Sequence, residues 1–271
     1  MTEEMTNDGA GVAAPQAIDV LLPTRAPAPW LAETLDGLLA QTHRQWRLVA
    51  VVHGEASELT ALILNKVPDA VIVSMPSSAN LQHLLNAGLD ACTAPFVARQ
   101  DSDDIPEPTR LAEQLRFLHE HPTVVAVGCW ATVIDEHGAA IGIREVPSGD
   151  DSLKGLRWKT VLIHPSVMFR RTSVLEVGGY DQGATNAEDY ELWLRLATRG
   201  ELDNMTEPLL RYRVHSQQVS RARAIPRTTR AIVARSRRAL ARSRNESLLM
   251  AQLRQIVWSL PQISRSVRRP S

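Results

Sequence analysis

Short apolar runs alternate with helically spaced apolar residues in the first part of the chain. Four such runs predict strands, at 18–22, 48–52, 70–73 and 96–98. The stretches between them carry apolar residues three and four apart and predict helices, near 30–39, 58–65 and 81–88. A near-continuous run such as 48–52 is typical of a parallel strand buried on both faces. The alternation predicts an α/β fold with a mainly parallel sheet and helices on both faces.

The pattern changes after residue 106. We expect a helix from about 107 to 119, beginning soon after the acidic stretch that ends at Asp104. Two further strands are predicted at 124–127 and 131–134. A helix is predicted from about residue 188, and a last strand at 209–214. The residues from 227 to 260 again have helical spacing, with one apolar stripe formed by Leu249, Leu253, Ile256 and Leu260.

Composition narrows the class of protein. The 271 residues allow one large domain with an extension. Two cysteines, Cys92 and Cys129, are too few for a disulfide framework, so a reducing cytoplasmic setting and small buried thiols are expected. No apolar stretch approaches the roughly 20 residues that a membrane-spanning helix needs. Residues 1–16 carry acidic but no basic residues, which predicts a disordered leader rather than a secretory signal.

A net charge of zero hides an asymmetry between the two parts of the chain. Residues 221–271 hold 13 arginines and one acid, Glu246, a balance of +12, so residues 1–220 have a balance of −12. Two interpretations of this basic helical extension are open. It lies on an anionic membrane surface, or it packs its apolar stripe on the domain. A nucleic-acid partner is not expected, because no aromatic residues are interleaved to stack bases.

The candidate chemistry centres on the acidic stretch Asp101-Ser102-Asp103-Asp104, directly after the predicted strand 96–98. Ligands of α/β proteins bind at the carboxyl ends of strands. Three carboxylates in four residues repel one another unless a cation lies between them, and a hard divalent ion is the natural candidate. The alternative is a solvated acidic turn that caps the next helix, and for Asp104 we expect this capping role.

Several motifs occur in an order that resembles family-two glycosyltransferases. They are 21–25 (LLPTR), 86–89 (NAGL), 101–106 (DSDDIP), 164–171 (HPSVMFRR), 178–181 (GGYD), 188–193 (EDYELW) and 212–215 (YRVH). Together they cover the span from 17 to 220. The resemblance implies a GT-A fold over 17–220, with 221–271 as a basic helical extension. It also implies inverting transfer of a sugar from a nucleotide-diphosphate donor to a hydroxyl acceptor, with Mg²⁺ or Mn²⁺.

The resemblance assigns the donor side of the site. It implies that Asp103 binds the metal, and that Asp101 lies near the ribose or a metal-bound water. It further implies nucleotide or donor contacts for Asn86 and for the segment Pro23, Thr24 and Arg25. His215 would approach the metal or the diphosphate, although a histidine that ends a strand is also often only a satisfied polar group. An imidazole ligand would suit Mn²⁺ better than Mg²⁺.

The acceptor side of the site follows from the pair Glu188 and Asp189. The resemblance implies that Asp189 is the general base, and its pKa would have to be raised by burial or by Glu188. The alternative is that Asp189 only caps the helix through Trp193. His164 has two open roles, in acceptor or diphosphate contacts or in structure alone. The acceptor would be a glycan or a lipid-linked sugar in cell-surface glycan or glycolipid synthesis.

One departure from the family pattern leaves rival functions open. Family members usually carry Asp-Asp-Gly-Ser after the second strand, where this chain has His53-Gly54-Glu55-Ala56-Ser57. The nucleotide-reading carboxylate is therefore missing, and His53 or Glu55 would have to replace it. The rivals are a binding protein of the same fold that has lost catalysis, and a nucleotidyltransferase. A nucleotidyltransferase leaves Glu188-Asp189 unexplained.

Overall fold

The computed structural model describes residues 17–216, 218 and 224–267, so the predicted leader 1–16 lies outside the described residues. The strands are β1 (Ile18–Arg25), β2 (Trp46–His53), β3 (Val71–Met75), β4 (Phe96–Arg99), β5 (Ile105–Pro106), β6 (Val124–Ile134), β7 (Ala140–Arg144), β8 (Met168–Arg170) and β9 (Glu201–Arg213). The helices are α1 (Leu31–Leu39), α2 (Ser57–Lys66), α3 (Leu81–Ala91), α4 (Arg110–Glu120), α5 (Asp150–Leu156), α6 (Arg171–Glu176), α7 (Glu188–Leu196), α8 (Arg227–Ser243) and α9 (Leu248–Val267).

The strands form one mixed sheet in the order β3-β2-β1-β4-β8-β6-β9-β5, with β7 paired to β6. The first four strands in this order run parallel, joined by helices, as the alternating pattern predicts. Strand β8 joins the two halves through antiparallel pairs with β4 and β6, and β9 runs parallel to β6. The predicted α/β fold with a mainly parallel sheet is confirmed.

Helices cover both faces of this sheet. The alternation of side chains along β1 sends Ile18, Val20 and Leu22 into one core, which also contains apolar residues of α1 and α4. Leu21 enters the other core, with residues of α3 and α7. Cys92 and Cys129 are buried free thiols, as expected, and burial raises the pKa of Cys92 to about 12.

Three local expectations were wrong. Strand β1 continues through Pro23, because Thr24 and Arg25 still pair with β2. Residues 124–134 form one strand instead of two, and the register irregularities are absorbed in its pairing with β9. The helix after the acidic stretch begins only at Arg110, because Ile105 and Pro106 first pair with β9 as β5.

The predicted helical region 227–260 is confirmed as the helices α8 and α9. Helix α8 packs on the domain, with Val233 and Leu240 buried in the same core as α7. The Ser236 hydroxyl donates to Glu191 Oε1 over 2.7 Å. The domain boundary at residue 220 stays a prediction, but α8 shares the core of the residues before it. None of the helices in the described residues combines the length and apolar content needed to cross a bilayer.

Gly88 fixes how closely α3 approaches the sheet. A Cβ at this position would lie 2.7 Å from Val51 Cγ2 and would also overlap Leu21 Cδ1. We expect Gly88→Ala to lower the free energy of unfolding by about 1–3 kcal/mol, because overpacking outweighs the better helix propensity of alanine. Urea unfolding measures the change. Gly142→Ala is the control, since its Cβ meets nothing within 4 Å and should leave stability nearly unchanged; equal stability of both variants would contradict the prediction.

Candidate active site

The acidic stretch begins after the carboxyl end of β4, and a buried polar network holds its backbone. Gln100 Nε2 donates to the carbonyl oxygens of Asp101 and Asp104, each over 2.9 Å. Arg110 in turn donates to Gln100 Oε1 over 2.7 Å and to the Arg99 carbonyl over 2.8 Å. These bonds fix the backbone of the turn, so its side chains present their oxygens from a preformed scaffold.

The three carboxylates of this turn converge. Asp101, Asp103 and Asp104 each offer an oxygen within 4.8 Å of the others. Within the described part of the chain they form a group of carboxylates that could hold a metal ion. Burial and repulsion from its neighbours raise the pKa of Asp104 well above its usual value, and burial raises that of Asp101. Asp104 Oδ2 is buried and has no hydrogen-bond partner among the residues that the structure describes. An oxygen-rich cluster of this kind fits a hard divalent cation.

Asp104 has a different local role from the one predicted. Its Oδ1 accepts a hydrogen bond from the backbone N–H of Arg213 over 2.8 Å. Helix α4 begins six residues after Asp104, with Thr109 at its N-cap. The helix-capping role expected for Asp104 is therefore wrong, because β5 separates it from the helix.

His215 contacts the acidic turn directly. Its Nε2 lies 2.9 Å from Asp103 Oδ2, and its ring lies 4.5 Å from the ring of Trp30. The chain thus joins the two residues for which a metal contact was predicted, although they are far apart in sequence. That these two residues bind a metal ion stays a prediction.

Arg213 is a structural residue of the site that sequence reasoning missed. It is fully buried and donates to the Asp103 carbonyl over 3.0 Å and to Glu33 Oε2 over 2.7 Å. It also donates to the carbonyls of Asp135 and Glu136 in the turn before β7. Arg213 therefore holds β9, α1 and the β6–β7 turn around the acidic stretch. Its only signal in the sequence was its place beside His215 in the motif 212–215.

Glu188 and Asp189 occupy the first turn of α7. Asp189 Oδ1 accepts from the Tyr190 N–H over 2.6 Å, so the carboxylate has a helix-terminal hydrogen bond as well as its candidate catalytic role. Burial, and then the charge of Asp189, raise the pKa of Glu188 to about 7. Burial also raises the pKa of Asp189, and the charge of Arg144 opposes that rise. A carboxylate with a raised pKa is a suitable general base near neutral pH.

Arg99 connects the two acidic groups and was not predicted. It is buried at the end of β4, and its Nη1 forms an ion pair with Asp101 Oδ1. Its charge lowers the pKa of both Glu188 and Asp189, while the charge of Asp101 raises that of Glu188. These influences on the pKa values indicate that the acidic turn and the Glu188–Asp189 pair both lie near Arg99.

His164 lies in a short 3-10 turn from His164 to Ser166. Its Nε2 is 2.8 Å from the Tyr180 hydroxyl, and its ring packs edge-on against Trp193. Burial, and then the charge of Arg99, lower its pKa well below the usual value and so favour the neutral imidazole. These contacts support the structural alternative for His164, and its acceptor or diphosphate contacts stay a prediction.

The residues predicted to contact the nucleotide have unequal surroundings. Thr24 lies at the end of β1 between buried Pro23 and exposed Arg25. It is buried, and its Oγ1 has no hydrogen-bond partner within the described ranges of the chain. Asn86 instead exchanges two hydrogen bonds of 2.8 Å with the backbone of Tyr180. His53 Nε2 lies 3.1 Å from the Ser77 carbonyl oxygen. Donor contacts of these residues stay predictions.

Comparison with known proteins decides the family. The model of the family described as "Glycosyl transferase family 2" matches residues 19–178. The chain belongs to this family. Its enzyme class is therefore glycosyltransferase, which removes the nucleotidyltransferase alternative.

Three bacterial glycosyltransferases are among the curated relatives of the chain. The chain is 34% identical to the amylovoran biosynthesis glycosyltransferase AmsE of Erwinia amylovora, over 71% of this chain and 74% of that protein. It is 28% identical to the O-antigen biosynthesis glycosyltransferase WbnJ of Escherichia coli, over 76% and 82%. It is 27% identical to the UDP-Gal:alpha-D-GlcNAc-diphosphoundecaprenol beta-1,3-galactosyltransferase of E. coli, over 71% of each chain.

Solved glycosyltransferase structures share the fold. TarS of S. aureus in complex with UDP-GlcNAc superposes with a TM-score of 0.66 at 14% identity, over 92% of this chain and 72% of that one. The mannosyltransferase PcManGT of Pyrobaculum calidifontis, in complex with GDP-Man and Mn²⁺, superposes with a TM-score of 0.57 at 19% identity, over 96% and 77%. The predicted GT-A fold is confirmed.

Proposed function

We propose that this glycosyltransferase moves a sugar from a nucleotide-diphosphate donor to a hydroxyl acceptor with inversion at the anomeric carbon. One observation carries the proposal: Arg99 forms an ion pair with Asp101 in the strand-end carboxylate cluster, and its charge also acts on the Glu188–Asp189 pair, whose pKa values burial raises. Inverting transfer needs these two functions side by side. One group of residues must accept the leaving diphosphate, and a base must take the acceptor proton.

The donor side is formed by the acidic turn. Asp103 and His215 would hold a divalent cation, Mg²⁺ or Mn²⁺, and the unpartnered Asp104 Oδ2 supports a cation here. When bound, the ion neutralises charge that develops on the leaving diphosphate. The nucleotide would be contacted by Asp101 and by the segment Pro23, Thr24 and Arg25. Asn86 of helix α3 would also contact the donor.

The acceptor side is formed by the first turn of α7. Asp189 would accept the proton of the acceptor hydroxyl through a carboxylate oxygen, and burial raises its pKa toward the range that a general base needs. The hydroxyl oxygen then forms a bond to the anomeric carbon as the bond from that carbon to the diphosphate oxygen breaks. The electron pair leaves with the nucleoside diphosphate, so the configuration inverts in a single displacement.

The acceptor is proposed as a growing glycan or a lipid-linked sugar of cell-surface glycan synthesis. The names of the relatives support this class, and one of them acts on a sugar diphosphoundecaprenol. The enzyme would then work in the cytoplasm, with the basic extension 221–271 attracted to the anionic inner face of the membrane. No nucleic-acid partner is proposed.

A donor screen tests the proposed reaction. Hydrolysis of a panel of UDP- and GDP-sugars is measured with Mn²⁺, with Mg²⁺ and with a chelator, and nucleotide binding is followed by thermal shift. The proposal expects one preferred donor, whose hydrolysis and binding both depend on the cation. Binding without any turnover across the panel would favour the alternative of a catalytically impaired binding protein.

The raised pKa of the Glu188–Asp189 pair predicts the pH dependence. A general base must be deprotonated, so kcat/KM should fall as pH falls through the pKa of Asp189, which burial raises above its usual value. The charge of Arg144 lowers the pKa of Asp189, so Arg144→Gln should raise it. The acid limb of the pH–rate profile should therefore move to higher pH in Arg144→Gln. The exposed Arg44 gives the control Arg44→Gln, which should leave the acid limb in place. An unmoved acid limb in Arg144→Gln would contradict the assignment of Asp189 as the base.

A further inference from the structure

In its described side chains, from residue 248 to residue 260, helix α9 packs on the domain with one of its faces. Ala251 is buried, and the Trp258 ring lies 5.6 Å from the ring of Tyr190 in α7. Arg254 Nη1 donates to Glu246 Oε2 over 3.0 Å, and its guanidinium lies 5.6 Å from the ring of Trp158. This face carries the polar and aromatic contacts that hold the helix in place.

The opposite face of α9 is apolar and open to solvent. Its members recur at helical spacing and are from 46% to 65% exposed: Leu249, Leu253, Ile256, Val257 and Leu260. Four of them form the stripe that the sequence pattern predicts, and the structure turns this stripe away from the domain. Scattered exposed leucines are ordinary, but a contiguous apolar helix face marks an interaction surface.

Arginines of α8 lie on one border of this apolar face. Arg238 of α8 and Ile256 of α9 line the same groove between the two helices, with a volume of about 250 Å³. Arg238 and the exposed Arg242 have no acidic partner in the described part of the chain. The sequence from 247 to 271 also holds no acid that could oppose these arginines of α8. An apolar face with a basic border is the pattern of a helix that lies in a membrane interface.

We infer that the apolar face of α9 inserts into the interface of a bilayer that contains anionic lipid. The inference rests on the proposed function, because a lipid-linked acceptor would lie in the same bilayer. Charge complementarity favours lipid over a second copy of the chain. Two copies joined through this face would bring their arginines together, whereas anionic headgroups neutralise them.

The docked helix lies beside the acceptor side of the site. Tyr190 follows Asp189 in α7, and its ring contacts both Trp258 and the guanidinium of Arg237. A bilayer that holds α9 therefore holds the helix of the candidate base within reach of the membrane surface. This arrangement would deliver a membrane-bound acceptor to Asp189 without carrying it through bulk water.

Vesicle sedimentation of the full-length chain tests the inference. We expect binding to vesicles of phosphatidylcholine with phosphatidylglycerol, and at least a tenfold weaker affinity for the double variant Leu253→Glu with Ile256→Glu. The control Leu64→Glu replaces a similarly exposed leucine of α2, 39% exposed, and should bind as the unaltered protein does. Part of the binding should survive high salt, because apolar insertion is not screened.

Three results would overturn the inference. These are absence of binding by the unaltered protein at low salt, undiminished binding by the double variant, and complete release of the protein by salt. A dimer of the unaltered protein that dissociates in the double variant, without vesicle binding, would identify a second copy as the occupant. Thermal unfolding and donor hydrolysis of the double variant are measured as controls. If both are unchanged, weaker vesicle binding is not caused by loss of folding.

The membrane-binding surface of α9 and the proposed reaction can be tested separately. Asp189→Asn should bind the vesicles as tightly as the unaltered protein, since its substitution leaves α9 intact. Vesicle binding without any sugar transfer would keep the surface and reject the proposed reaction. Donor-dependent transfer to a water-soluble acceptor without vesicle binding would support the proposed reaction and reject the membrane-binding surface.

Discussion

Asp189→Asn is expected to lower kcat for sugar transfer by about 10²–10⁴-fold while leaving donor affinity unchanged. The amide keeps the shape of the carboxylate, and its oxygen still accepts the 2.6 Å hydrogen bond from the Tyr190 N–H. It cannot take a proton from the acceptor. Steady-state kinetics with the preferred donor measures the loss, and calorimetric titration with the donor measures binding.

The matched control for this substitution is Asp150→Asn. Asp150 is also a first-turn acid of a helix, α5, but it is exposed and should leave turnover unchanged. Turnover by Asp189→Asn close to that of the unaltered protein would remove Asp189 from the role of base. Loss of donor binding together with turnover would place Asp189 on the donor side instead.

Asp103→Ala is expected to remove the metal-dependent part of nucleotide binding. The loss should be at least the roughly 10–100-fold seen when an outer partner of a metal ligand is removed. Its side chain contacts His215 and is surrounded by like charges from Asp101 and Asp104, so the fold does not depend on it. Nucleotide affinity with and without Mn²⁺ measures the effect, and thermal unfolding without metal checks the fold.

The exposed turn residue Asp69 provides the control Asp69→Ala, which changes the net charge by the same amount. It should keep the full gain in affinity that Mn²⁺ gives to the unaltered protein. An equal gain in Asp103→Ala would show that this carboxylate does not hold the cation.

The sequence predicted those elements that have a local periodic signal. The strands at 48–52 and 96–98 and the helices α1 and α3 followed from apolar spacing alone. Strand β5 did not, because two residues carry no period and form a strand only by pairing with β9. The position of Asp104 was missed for the same reason, since its partner Arg213 is distant in sequence.

The candidate site divides in the same way. Acidic residues within one short motif, such as Asp103 or Asp189, can be read from the sequence and from the family resemblance. Arg99 and Arg213 could not, because their roles depend on contacts between elements far apart in the chain. The stripe of α9 was predicted correctly, but spacing alone does not say whether an apolar face meets the domain or solvent.

The anomeric configuration of the product tests the single displacement at Asp189 most directly. The preferred α-linked nucleotide sugar is incubated with acceptor and Mn²⁺, and proton NMR reads the configuration of the new linkage. Direct attack by a hydroxyl that Asp189 deprotonates predicts a β-linked product. An α-linked product would contradict it, because retention requires a second displacement or an attack from the same face.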